Sequence, residues 1–290
     1  MTTILVTGAS GQLGSEIREL SARYSGYEFI FTDTGELDIT DREAAAAFIA
    51  ASTPSWVINC AAYTAVDRAE DEESLATLIN AGGVENIVSA LRGSDCRLIH
   101  ISTDYVFDGN NPVPYTEDDS PSPASAYGRS KLAGEKAALL WPNTMIIRTS
   151  WLYSSYGNNF VKTMLRKAGS AQEISVVFDQ AGSPTYAADL AAAIMDIISG
   201  VIRNRHNFAP GIFNYSDEGV CSWYDLACEI VREAGSECRV LPVRSSAWPS
   251  RVKRPAYSVL DKARIKEYYN LTIPHWRTSL NNCISKINRI

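Results

Sequence analysis

Residues 4–14 read Ile4-Leu5-Val6-Thr7-Gly8-Ala9-Ser10-Gly11-Gln12-Leu13-Gly14. A short apolar run leads into glycines at 8, 11 and 14, and a helical pattern follows at once, with Leu13, Ile17 and Leu20 on one face. Glycines at this spacing permit a tight turn, let the backbone approach a pyrophosphate and allow close helix–strand packing. The helix N-terminus adds free N–H groups and a partial positive charge. A second apolar run ends at Asp33, 19 residues past Gly14. A carboxylate there suits the adenine ribose hydroxyls of a dinucleotide. It would repel a 2′-phosphate, and residues 31–37 contain no Lys or Arg to offset it. NADH or NADPH is therefore the expected cofactor, with NADH used at least as well. The alternative for Asp33 is the cap of a turn.

Outward from this loop the first half alternates strand and helix. Strands are expected over 4–7, 28–32, 56–61, 97–102 and 145–149. Helices are expected over 13–24, 42–51, 75–91 and 127–140, with Thr40 and Glu43 forming a capping box. That rhythm implies right-handed βαβ crossovers. The expected fold is α/β, a Rossmann-type doubly wound parallel sheet with a smaller C-terminal substrate-binding cap. Residues 1–150 form the NAD(P)-binding domain, elements from 170–216 rejoin it, and 217–290 are mainly cap. In the second half helices are expected over 159–168, 186–198, 223–234 (capped by Ser222) and 281–287. Strands are expected over 174–178, 211–215 and 239–243, with Pro242, Pro249 and Pro255 punctuating a loop-rich stretch.

Tyr127-Gly128-Arg129-Ser130-Lys131 places a phenol and an ammonium on one helix face. A free phenol, with a pKa of about 10, is a poor acid–base catalyst at neutral pH, and a nearby ammonium lowers it. Strand 97–102 ends at Ser102-Thr103, where ligands of open parallel sheets bind. Either hydroxyl can bond a substrate carbonyl or the tyrosine, or serve ordinary turn chemistry. His100 reads as a core residue.

With these motifs in order, the chain resembles the extended short-chain dehydrogenase/reductases, and within them the dTDP-4-dehydrorhamnose reductase family. The matching runs are Ala61–Asp67, Ser102–Gly109, Tyr127–Glu135, Arg148–Tyr153, Gly157–Phe160, Asp179–Thr185 and Arg254-Pro255 with Ser258. The resemblance implies reduction of the 4-keto group of dTDP-4-dehydro-L-rhamnose by NAD(P)H. It makes Tyr127 the proton donor. Lys131 lowers the tyrosine pKa and binds the nicotinamide ribose, and Thr103 orients the reacting oxygen or tunes Tyr127. Asp104 and Trp151 contact the sugar nucleotide. Gly8, Gly11, Gln12, Leu13, Gly14, Asp33, Asp38, Ile39, Ala61, Ala62, Tyr63 and Thr64 line the cofactor. Tyr63 stands where some members carry His, so its contact is expected through the backbone. Asp38 also suits the turn before Thr40. Trp151 suits stacking on a sugar or base, or core packing. Arg254 suits a bidentate grip on the substrate diphosphate, or a plain surface position. Some members form dimers bridged by magnesium through carboxylates, one of them near the C-terminus. Residues 278–290 contain no Asp or Glu, so no metal is expected.

The 290 residues carry a net charge of −6, which disfavours a nucleic-acid partner. No apolar run reaches the ~18–20 residues of a membrane span. Met1–Ile4 reads as the start of a strand, not a signal peptide. The six cysteines show no C-x-x-C pair and read as buried thiols of a cytoplasmic protein. A homodimer is compatible with the resemblance. Three functions stay open: the reductase, another sugar-nucleotide epimerase, dehydratase or ketoreductase, and a non-catalytic NAD(P)-binding regulatory subunit.

Overall fold

In the computed structural model, which describes residues 2–247 and 250–289, Ile4, Leu5 and Val6 are fully buried. Met1 and Pro249, both named above, lie outside the described residues. In chain order the first half holds β1 (Thr2–Thr7), α1 (Gln12–Ser21), β2 (Tyr27–Thr32), α2 (Arg42–Ser52), β3 (Trp56–Asn59), α3 (Glu73–Thr77), α4 (Gly83–Leu91), β4 (Arg97–Thr103), α5 (Ala126–Ala138) and β5 (Thr144–Thr149). The second holds β6 (Leu152–Tyr153), α6 (Phe160–Ala168), β7 (Glu173–Val177), β8 (Ala181–Gly182), β9 (Thr185–Tyr186), α7 (Ala187–Ile202), β10 (Gly211–Asn214), β11 (Cys221–Ser222), α8 (Trp223–Glu233), β12 (Arg239–Val243), α9 (Ala263–Tyr269) and α10 (Trp276–Ile287).

Six strands form one parallel sheet in the order β10-β5-β4-β3-β1-β2. Alternate residues of β1 serve opposite layers. Ile4 and Val6 join a core with Leu13 and Ile17 of α1 and Leu190 and Ile194 of α7, while Leu5 joins Ile49 of α2 and Val84 and Ile87 of α4. Helices on both faces explain why the strand is uniformly apolar rather than alternating. The doubly wound α/β sheet is thus as expected. The strand order reverses between β1 and β3, which opens a crevice at their carboxyl ends.

The second half builds its own core from α6, α8 and α10, including Val161, Met164, Leu226, Ile230, Trp276 and Leu280. Of the stretch 170–216, β10 is an edge strand of the large sheet and α7 packs on α1. By contrast, β7 pairs in parallel with β12 in a separate small sheet.

Local readings are corrected at several points. The N-cap of α2 is Asp41, whose carboxylate accepts from Glu43 and Ala44 amides, because Thr40 is already bonded to Asp38. Strand β3 stops at Asn59. The helix expected over 75–91 starts at Glu73 and carries a π-turn at Leu78–Gly82 between α3 and α4. Helix α9 and the two-residue strands carried no readable periodicity.

Candidate active site

The glycine loop lies at the crevice. Gly8 has φ +64°, and a Cβ there would stand 2.6 Å from the Ala61 nitrogen, so only glycine lets the loop touch the end of β3. A cavity of about 350 Å³ opens beside it, lined by Gly8, Gly11, Asp33, Asp38, Ile39, Ala61 and Ala62 from the expected set. Leu37, Leu75, Leu78 and Ile79 complete its apolar wall and were not anticipated. The Asp33 carboxylate accepts from the amides of Ser10 (3.0 Å) and Thr34 (2.8 Å). Burial pushes its pKa up, but those hydrogen bonds outweigh it and hold the group below its ordinary value, as an anion. Asp38 accepts from Thr40, the turn role left open for it, while still facing the cavity.

Five of the expected cofactor residues do not line that cavity. Leu13 is 3% exposed and points into the core. Gly14 packs against Ala9, where a Cβ would stand 2.5 Å from the Ala9 Cα. Gln12 accepts from Asn159 at 2.9 Å, tying the loop to the second half. The Tyr63 amide, its one backbone donor, bonds Asn80 Oδ1 at 2.9 Å. Thr64 is exposed.

Asn80, missed in the sequence, is fully buried in the π-turn and also donates to Tyr63 O and to Ser130 Oγ of α5. The Asn80 carbonyl comes so close that a Cβ on Gly134 of α5 would stand 2.1 Å from it. A buried polar residue inside a helical apolar pattern was the available signal, since π-turns concentrate at functional sites.

Ser125 caps α5 and donates no side-chain charge to it; its Oγ accepts from the Gly128 amide at 3.1 Å. The cap sets Tyr127 and Lys131 on the first turns of α5, beside the end of β4. The Thr103 hydroxyl lies beside the Tyr127 phenol and donates to Asp104 Oδ1 at 3.1 Å. Burial pushes the Tyr127 phenol above its ordinary value, with the Thr103 bond opposing. Burial likewise pushes the Asp104 carboxyl up to about 6, opposed by hydrogen bonds from Ser258 and Thr103. Its Oδ2 is buried without a partner. Lys131 donates to the Ile101 carbonyl at 2.7 Å, because a buried ammonium needs an acceptor. Burial lowers it to about 8, opposed by the charge of Glu135. Ser102 is not free for a ligand, since it donates to Glu135 at 2.6 Å. His100 is fully buried, its Nδ1 3.1 Å from Asn59 Nδ2, in the core role expected of it.

Trp151 follows β5 with φ +48°, a strained value for a bulky residue. Its indole lies against Gly182 on one side and stacks on Trp223 at 3.6 Å on the other. Trp223, Phe160, Lys167, Gln180, Lys253 and Arg254 line a second cavity of about 650 Å³. Arg254 pairs with Asp67 at 2.9 Å and hydrogen-bonds Tyr105, whose ring packs edge-on against Tyr127 at 5.5 Å. Cys60 of the first cavity faces Lys131. Tyr127 and Lys131 line neither cavity, but each packs against a residue that adjoins one of them: Lys131 against Cys60 of the first, and Tyr127 against Tyr105, beside Arg254 of the second.

The carboxylates of α1 are held by an ion pair. Lys286 of α10 puts an ammonium 2.7 Å from Glu16 and 2.5 Å from Glu19. Among the described residues no group of three or more His, Cys, Asp or Glu could hold an ion.

The profile of the family described as the RmlD substrate binding domain matches residues 1–289. The spore coat polysaccharide biosynthesis protein SpsK of Bacillus subtilis is 41% identical, over 99% of this chain and 98% of that protein. A dTDP-4-dehydrorhamnose reductase of Aggregatibacter actinomycetemcomitans is 39% identical, over 97% and 98%. The crystal structure of dTDP-4-dehydrorhamnose reductase from Bacillus anthracis in complex with NADP superposes with a TM-score of 0.93 at 38% identity, covering 99% of this chain and all of that one. Likeness of this order along the full length of both partners, on one shared backbone, means that the chain belongs to the RmlD substrate binding domain family.

Proposed function

We propose that the protein is a dTDP-4-dehydrorhamnose reductase, which reduces the 4-keto group of dTDP-4-dehydro-L-rhamnose to give dTDP-L-rhamnose. The observation that carries this reading is the buried set of Thr103, Tyr127 and Lys131 at the ends of β4 and α5, with Lys131 beside Cys60 of the glycine-loop cavity. The cavity at the glycine loop suits the adenosine half of NAD(P)H, with the Gly8–Gly11 turn at the diphosphate and Lys131 within one turn of Tyr127 for the nicotinamide ribose. When bound, the reduced nicotinamide supplies the hydride. Tyr127 gives its proton to the ketone oxygen, and Thr103 orients that oxygen. Lys131 holds its charge beside the phenolate that is left, which offsets the penalty that burial places on it. The larger cavity, with Trp223 and Phe160 for a base and Lys167, Lys253 and Arg254 for phosphates, suits the nucleoside diphosphate of the substrate. Asp104 and Trp151 face the sugar between them.

The test is consumption of NADH or NADPH with dTDP-4-dehydrorhamnose, against a panel of other 4-keto sugar nucleotides. Stoichiometric oxidation with the rhamnose precursor is expected. An epimerase would show no net oxidation, and a binding subunit none with any substrate.

Residues 1–150 with β10 and α7 serve as the dinucleotide domain in this reading, and 217–290 mainly as the cap, supported by a second core around α8 and α10, although Ile265, Tyr269 and Ile273 pack in the sheet core. A homodimer is the assembly we propose. No described helix is long and apolar enough to cross a membrane, all six cysteines are free, and the cytoplasm is the compartment we propose.

Two further results are expected. Asp33 stays anionic in the cavity, so steady-state kinetics should show NADH used at least as well as NADPH. A tenfold preference for NADPH would overturn that role for Asp33. Lys286 already neutralises Glu16 and Glu19, so a chelator should leave turnover unchanged. Loss of activity restored by magnesium would overturn the ammonium's part.

A further inference from the structure

Glu135 has no part in the reaction as described, yet it is 2% exposed on the helix that carries Tyr127 and Lys131. Its Oε1 accepts from Ser102 Oγ at 2.6 Å and from Arg148 Nε at 2.8 Å, and its Oε2 from Arg148 Nη2 at 2.8 Å. Arg148 is 1% exposed. The three side chains join β4, α5 and β5 at one point. Ser102 adjoins Thr103 in sequence, and Lys131 lies one helical turn before Glu135. Burying such a pair is costly, and apolar side chains of similar volume would often hold a fold as well. Stability alone therefore does not account for it.

We propose that Glu135 is a positioning residue: its clamp on Ser102 and Arg148 sets α5 against β4 so that Tyr127 meets Thr103, and its carboxylate places a negative charge one turn from the Lys131 ammonium.

The groups facing Lys131 are Cys60 at the end of β3, His100 on β4 and Glu135 on its own helix, with Arg148 of β5 behind Glu135. Burial pushes the Cys60 thiol up to about 12 and His100 well below its ordinary value, so both are neutral near pH 7. Glu135 is the anion of this set. Lys131 is held at about 8 by burial, with Glu135 opposing. The ammonium is therefore present below about pH 8 and lost above it, and removing the Glu135 charge moves that loss to lower pH.

The kinetic consequence rests on the reductase reading, whereas the titration of Lys131 does not. The experiment uses the full chain labelled with ¹³C at lysine Cε, with the Lys131 resonance identified by its disappearance in K131M. In wild-type protein the midpoint is expected near 8. In E135Q it should fall by about one pH unit, a tenfold change in the acid constant. The E135Q/R148Q pair, which removes both charges at similar volume, keeps the measurement possible where E135Q does not fold, and should fall by less, because losing the more distant Arg148 cation opposes the shift in part. The alkaline limb of the kcat profile should move down in step. An unchanged midpoint in folded E135Q, or in E135Q/R148Q where only that pair folds, overturns the proposal. Failure of wild-type protein to reduce any ketosugar nucleotide would instead sink the reductase reading, and the titration would still decide the role of Glu135.

Discussion

Tyr127→Phe is expected to lower turnover ~10²–10⁴-fold, the usual worth of a positioned general acid, while cofactor affinity stays close to wild type. The reaction adds a hydride to the carbonyl carbon and a proton to its oxygen, and only the proton comes from the protein. Removing the hydroxyl deletes that proton and little else. The ring keeps its edge-on contact with Tyr105 at 5.5 Å, and Thr103 keeps Asp104 as a partner at 3.1 Å. Single-turnover kinetics, with cofactor binding followed by fluorescence, separates the two quantities. Near-normal turnover would end the mechanism proposed here.

The second large effect is on stability. Arg148→Met should cost about 3–5 kcal/mol, because it strands a carboxylate that is buried and has Ser102 as its remaining partner. In a domain of this size that corresponds to a fall of roughly 10 °C in Tm. The stacking of the guanidinium over Phe107, 4.9 Å from the ring centroid, is lost as well. The E135Q/R148Q pair should recover much of the difference, since it removes both charges rather than orphaning one. A calorimetric Tm for R148M within a degree or two of wild type would mean that the pair contributes little to the folded state.

Much of the site was legible because its signals are local. Gly8 needs a left-handed φ and a missing Cβ, and both demands are met by one residue type at one place. Tyr127 and Lys131 share a helix face by simple periodicity. Asp33 ends a strand that must lie beside β1. What the sequence did not show falls where distant segments meet. Leu13 and Gly14 belong to the fingerprint but face the core. Tyr63 seemed free to use its backbone until Asn80, 17 residues on, took its amide. Ser102 looked as available as Thr103, and only the approach of α5 and β5 assigns it to Glu135. Asn80 sits in a helix whose π-turn exists to fit against Gly134, a contact between segments that periodicity treats separately.

By itself the sequence determined the doubly wound sheet, the position of the glycine loop and the shared helix face of Tyr127 and Lys131, because alternation, turn chemistry and helix periodicity act over a few residues. Tertiary structure alone decided which side chains wall the cavity at the glycine loop, where Lys131 sends its ammonium, how Trp151 comes to lie between Gly182 and Trp223, and that β7 pairs with β12 instead of joining the large sheet. Those outcomes depend on the burial of charges and on close contacts between segments far apart in the chain. The cost of desolvation, and the partner that offsets it, exist only once the chain has folded.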